Sequence, residues 1–231
     1  MTKKRVLVWL SWGVDSAVAA HLLLQQGYEV TGGFMINYMA DDGNCPTRTD
    51  LDEAKKVAKH LGIQLFTFDF TAEYDKLIMD YIFEGYKKGI TPNPDVLCNS
   101  LVKFDLFLKE AISYGFDYVA TGHYARIIKN EEWKMKNEGT IYHLLKWVDP
   151  NKDQSYFLAG LTQEQLSRSL FPIGHLPKPE VRQVALDANL PNATRKDSQG
   201  LCFIGKVDMK EFLAQKIAKK PGDILDTNGK K

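Results

Sequence analysis

The chain has 231 residues, 30 Lys and Arg against 29 Asp and Glu, a formal charge of +1, and 44% hydrophobic and 11% aromatic residues. That length suits one α/β domain or one domain with a small appendage, and the apolar content suffices for a real core. The near-zero charge excludes a global polycation, so an RNA contact must be a local patch, and no apolar stretch approaches the roughly 20 residues that span a bilayer.

The basic start, Met1-Thr2-Lys3-Lys4-Arg5, runs directly into a strand-like segment and lacks the apolar region of a signal peptide. Residues 5–10 read as a first strand, 15–26 as a helix ended by Gly27, and 28–36 as a second strand. A polar loop over 37–48 precedes a helix over 50–61 that starts with Asp50 and Glu53 and stops at Gly62. A third strand over 63–70, a long amphipathic helix over 71–88, a Pro-rich loop over 90–97, a helix over 100–114 and a short strand over 117–121 follow. Strands alternating with helices predict βαβ units, hence an α/β, doubly wound, mostly parallel sheet with sites at the carboxyl ends of its strands.

The second half has a different texture. Segments 125–129 and 140–147 read as a hairpin around a polar loop. From Asn151 onward the chain reads as mostly helical, with a capping box at Thr162–Gln165, a helix over 180–188 opened by Pro179, and a last amphipathic helix over 207–218. The tail, 221–231, reads as a strand entering an Asn228-Gly229 hairpin turn whose second strand is missing. The expected division is a nucleotide-binding catalytic domain over 1–160 to which 192–206 returns, a small helical domain over 161–217, and the threshold of a further domain at 218–231. Cys45, Cys98 and Cys202 are odd in number and widely spaced, and no C-x-x-C occurs. That pattern argues for a reducing cytoplasm and against a disulfide scaffold, a zinc ribbon or any other protein-held metal.

Four stretches carry groups capable of chemistry. Ser11-Trp12-Gly13-Val14-Asp15-Ser16 lies between the first strand and the first helix, where backbone N–H groups and the helix dipole favour an anion. It lacks the Lys of a Walker A loop; its bland reading is a β–α turn with Ser and Asp capping the helix. Thr91 to Asn99 holds Asp95 three residues before Cys98, which reads as a proton-transfer group beside a thiol favoured by a helix N-terminus, or as a rigid connector with a buried cysteine. Lys196 to Gly205 places Cys202 among glycines and near Lys196 and Lys206, which would favour its thiolate; its bland reading is a small buried hydrophobe. Thr121-Gly122-His123 and Asn151 to Tyr156 put dense polar groups at a strand end, with Gly122 free to let a nucleotide approach.

These stretches, S-W-G-V-D-S, G-F-M-I-N-Y, T-P-N-P-D-V-L-C-N, A-T-G-H-Y-A-R, N-K-D-Q-S-Y-F-L and D-S-Q-G-L-C-F-I-G, together resemble the tRNA-specific 2-thiouridylases of the PP-loop ATP pyrophosphatase superfamily, in order and spacing, over nearly the whole chain. The resemblance implies the adenine nucleotide alpha hydrolase-like fold and ATP-dependent thiolation of the tRNA wobble uridine with ATP and magnesium. ATP would lie on Trp9, Leu10, Ser11, Trp12, Gly13, Val14, Asp15 and Ser16, with adenosine near Met35 and Gly122. The uridine 2-oxygen would be adenylated. Cys202 would carry a persulfide sulfur from a donor protein, Cys98 would be its partner nucleophile, and Asp95 the acid/base. Asn93, Pro94 and Asp95 would contact the flipped base, and Lys152, Asp153 and Gln154 the tRNA. Cys45 has no implied role.

Two departures from the family pattern stand out. Trp12 replaces a glycine, adding bulk where ATP must lie. The family continues into a C-terminal β-barrel that helps hold tRNA, and the sequence given stops at its threshold, as expected if a separate polypeptide supplies the barrel or if the sequence is a fragment; tRNA binding by this chain should be weak and salt-dependent. The competing readings are a degenerate non-catalytic relative that binds RNA or a sulfur carrier, and another PP-loop adenylating enzyme, which would need no cysteine pair.

Overall fold

The computed structural model describes residues 2–38, 46–130, 140–149, 153–197, 202–204, 208–218, 222–223 and 225–231. Five strands make one parallel sheet: β1 (Arg5–Trp9), β2 (Glu29–Ile36), β3 (Leu65–Asp69), β4 (Tyr118–Ala120) and, far along the chain, β7 (Ser169–Leu170), in the order β3-β2-β1-β4-β7. β5 (Arg126–Asn130) and β6 (Ile141–Leu145) form the antiparallel hairpin that the sequence predicts. Central β1 is apolar on both sides because both sides are covered. Val6 and Val8 face one layer of helices and Leu7 the other, all three fully buried.

The first layer consists of α1 (Val14–Gln25), α2 (Pro46–Leu61) and, further along the chain, α6 (Lys178–Asp187). Ala17, Ala19 and Ala20 let α1 approach the sheet closely. The second layer is aromatic. It holds α3, a continuous helical stretch made of Thr71–Tyr74, the wide-turned Asp75–Met79 and Asp80–Lys87. Beside it lies α4, made of Pro94–Leu97, the wide-turned Cys98–Leu106 and Phe107–Ser113. α5 (Gln163–Ser167) carries the expected capping box, with the Gln165 N–H bonded to Thr162 Oγ1 and the Gln165 side chain returning to the Thr162 N–H. α7 (Met209–Ala214) is shorter than the expected 207–218; Asp208 caps its start, accepting the N–H groups of Lys210 and Glu211.

Other expectations need correction. The largely helical region after Asn151 also contributes a strand that was not expected: β7 pairs with β4 through Val119–Ser169 and Ala120–Leu170, and two residues are too few to show a strand's period. The Pro-rich segment is not loop up to Leu97. Asn93 caps a helix beginning at Pro94, accepting the Val96 N–H at 3.4 Å, so Asp95 and Cys98 sit on α4 itself. No strand occurs among the described tail residues, though the Asn228-Gly229 turn is there with Gly229 at φ +74°. Cys45 and Lys152 lie outside the described residues.

Candidate active site

The turn from β1 to α1 is tied together by its own hydroxyls. Ser16 Oγ accepts the Ser11 N–H at 3.1 Å and lies 3.0 Å from Ser11 Oγ, which accepts the Gly13 N–H at 3.1 Å. No side chain caps α1, so the bland reading of Ser and Asp as caps does not hold, and the helix N-terminus keeps the backbone N–H groups that suit an anion. The Asp15 carboxylate turns elsewhere: it accepts the Tyr124 hydroxyl and the Lys178 ammonium, each at 2.6 Å. Burial, with Asp15 beside it, pushes the Tyr124 hydroxyl far up, so it stays a donor. Lys178 also reaches Asp197 at 2.8 Å, which Arg182 holds at 2.6 Å. This network fastens α6 and Asp197 onto the turn.

Gly122 is required, for a different reason than expected. A Cβ there would lie 2.7 Å from the Asp15 carbonyl carbon and the Ser16 nitrogen; the glycine lets the end of β4 pack against the turn. Trp12 does not stand in the phosphate path. Its indole lies under the Arg195 guanidinium, 4.1 Å from the ring, and its carbonyl accepts the Asn192 amide at 3.0 Å. Arg195 continues to Asp50 at 3.3 Å.

The two cysteines, 104 residues apart in sequence, meet at the carboxyl edge of the sheet. Cys98 is fully buried on α4, Cys202 is partly exposed, and the two thiols share a hydrogen bond. Asp95, one turn before Cys98, accepts the Cys202 N–H at 3.4 Å, and the Tyr74 hydroxyl donates to the Cys202 carbonyl at 2.6 Å. The expectation that a helix N-terminus activates Cys98 is reversed, because burial pushes its thiol well up. Cys202 is the activated sulfur, brought down to about 7 by the hydrogen bond from Cys98 and by the charge of Lys103. The cation there is not Lys196, which is exposed, and Lys206 lies outside the described residues.

Lys103 was invisible in the sequence reading. In an α-helix of about 3.6 residues per turn, residues five apart point to nearly opposite sides. The wide i→i+5 turns of Cys98–Leu106 stack them instead, so Lys103 comes round to the thiol side. A lysine between the apolar Val102 and Phe104 was the available signal. His123 is also buried here, 2.7 Å from Thr121 Oγ1 through Nδ1; burial and nearby Lys103 push its pKa well down, leaving a neutral ring.

Many of these groups border one cavity of about 310 Å³. Its lining includes Ser11, Gly13, Val14, Asp15, Ser16 and Gly122 of the turn and the strand end beside it, together with Trp9, Asp95, Lys103, Gln154 and Cys202; Cys98 is buried and does not line it. Leu10, Trp12 and Met35, expected at the nucleotide, do not line it; Leu10 and Met35 are core residues. Nor do Asn93 and Pro94, which start α4, or Asp153, whose carboxylate accepts the N–H groups of Trp147 and Ser155. Larger clefts of about 560 and 750 Å³, against the hairpin and against α3, contain neither the phosphate turn nor a described cysteine.

Residues 4–206 match the family model of the tRNA methyl transferase HUP domain. The chain is 56% identical over 227 residues, 96% of its length, to the tRNA-specific 2-thiouridylase MnmA of Flavobacterium johnsoniae, and 54% identical over the same span to that of Christiangramia forsetii; it covers 56% of each relative. Against the Acidovorax ebreus MnmA it is 51% identical over its full length, covering 61% of that relative.

Proposed function

This chain belongs to the tRNA-specific 2-thiouridylases, and from that premise we propose that it activates the wobble uridine of tRNA with ATP and replaces its 2-oxygen by sulfur. The observation that carries the reading is the single cavity, bordered both by the Ser11–Ser16 turn and by Asp95 and Cys202, with the buried Cys98 thiol hydrogen-bonded to Cys202. ATP lies with its phosphates on the turn from Ser11 to Ser16. The residues present fit a magnesium ion brought in on those phosphates. Asp15 and Asp197 border the cavity and are the carboxylates that would help hold it there. Bound there, the ion offsets phosphate charge.

The uridine 2-oxygen attacks the α-phosphorus and pyrophosphate leaves. Asp95, next to the base position, accepts or returns the proton that this exchange moves. The terminal sulfur of a persulfide on Cys202 then attacks C2, and AMP departs with the former base oxygen. Cys98 attacks the Cys202 sulfur, which releases 2-thiouridine and leaves a Cys98–Cys202 disulfide; a thiol reductant resets the pair. The roles of tRNA, of a persulfide donor protein and of the cytoplasm as the setting belong to this proposal, since the chain spans 56–62% of its curated relatives' length.

The test is thionucleoside analysis of tRNA incubated with the chain, ATP, magnesium and a persulfide donor. The expected outcome is 2-thiouridine with matching AMP and pyrophosphate, abolished in Cys202→Ser. Thiouridine formation that survives Cys202→Ser would overturn the reading.

A further inference from the structure

Lys103 is 3% exposed, yet among the described residues no carboxylate pairs with it. Buried lysines ordinarily carry such a partner, because an uncompensated ammonium is costly to desolvate. Here the side chain is held by aromatic faces. Its Nζ lies 4.2 Å from the Trp9 ring centre and 5.7 Å from that of Phe203, and the two rings are 5.5 Å apart. Trp9 closes β1 just before the phosphate turn, and Phe203 follows Cys202 directly. The ammonium therefore borders the same cavity as Cys202.

Ring quadrupoles hold a cation without cancelling its charge. A carboxylate in their place would neutralise it, leaving nothing for the sulfur. The other titratable groups facing the pair are Asp95 and Cys98 from α4, Tyr74 from α3 and His123 after β4. Burial keeps the Tyr74 hydroxyl and the Cys98 thiol protonated and the His123 ring neutral. Asp95 opposes negative charge on Cys202, and Lys103 is the cation facing it.

We propose that Lys103 is a catalytic residue: its ammonium, seated on Trp9 and Phe203, holds negative charge on the Cys202 sulfur, both as thiolate and as persulfide, while burial keeps Cys98 a thiol, so that Cys202 is the sulfur carrier. The use of that charge rests on the thiolation reading. The charge itself does not, and it can be measured in the chain without tRNA, ATP or a sulfur donor.

The experiment is iodoacetamide alkylation of the free chain across pH, with Cys202 and Cys98 followed separately by peptide mass spectrometry. The expected result is that Cys202 reacts faster than Cys98 and titrates below an ordinary cysteine. Lys103→Met slows Cys202 about tenfold or more near neutral pH and moves its midpoint up, while Lys103→Arg stays within about threefold of the native rate. Thermal melting identifies folded variants, and Lys103→Gln supplies a second neutral side chain. The proposal is overturned if native Cys202 titrates like a free cysteine, if a folded neutral variant keeps the native profile, or if Arg slows the reaction as much as Met. None of those results bears on whether tRNA is thiolated, which the thionucleoside assay reads separately.

Discussion

The two faces of the sheet are built from different side chains, and each supplies half of the site. On one face, Ala17, Ala19 and Ala20 bring α1 close to β1, and no side chain caps the N–H groups at the start of α1. On the other, Phe68, Phe104, Phe107 and Tyr74 hold α3 and α4 off the sheet and leave room at its edge for two thiols, a lysine and a carboxylate. A phosphate site needs backbone brought near; a sulfur site needs bulky, low-dielectric walls that shift thiol and imidazole chemistry. One sheet provides both because β1 shows Val6 and Val8 to one layer and Leu7 to the other.

Each face has its own way of failing. The aromatic face should break by loss of volume. Phe107 is fully buried and edge-on to Phe68 at 5.4 Å, so Phe107→Ala should cost about 3–5 kcal/mol in denaturant unfolding, the largest effect foreseen. The alanine face should break by gain of volume. Ala17 is also fully buried, and Ala17→Leu should cost about 1–3 kcal/mol and weaken nucleotide binding in calorimetry, because α1 and its N-terminus are pushed off the sheet. A reversed ranking would mean that the alanine contact, not the aromatic packing, dominates stability.

A smaller effect sharpens the alanine side. Burial pushes the Asp50 carboxyl up from 3.8 to about 6 despite the Arg195 guanidinium beside it. Between those values the folded chain binds more protons than the unfolded one, so this group lowers stability as pH rises through that window, a penalty fully present above about 6. Asp50→Asn should flatten that part of the melting-temperature profile against pH; an unchanged slope would contradict it. Smallest of all should be Trp12→Gly. Because the indole stacks on Arg195 outside the cavity, ATP affinity should stay within about threefold. A large gain would mean that the indole obstructs nucleotide after all.

Much of this plan is legible in the chain because its signals are local. Glycines after the helices, the alternation of strands and helices, and the Ser-Gly-Asp-Ser turn report their own conformations. What is not legible is long-range or geometric. β7 is too short to show a period, and its partner lies about fifty residues away. The start of α4 at Pro94 hides in a segment whose two prolines read as loop. Lys103 reaches Cys202 only through wide helical turns; its place between Val102 and Phe104 marks it as buried without saying which side it joins. The meeting of Cys98 and Cys202 was readable only through the likeness of whole motifs, since neither cysteine's neighbours alone distinguish a reactive thiol from a buried one.

Nucleotide and sulfur chemistry are proposed to share one chamber. The most direct measurement is the alkylation rate of Cys202 in the native chain as magnesium-ATP is titrated. Saturable protection, with a midpoint equal to the independently measured ATP dissociation constant, is the predicted result. Full ATP occupancy with no change in the rate at Cys202 would contradict it.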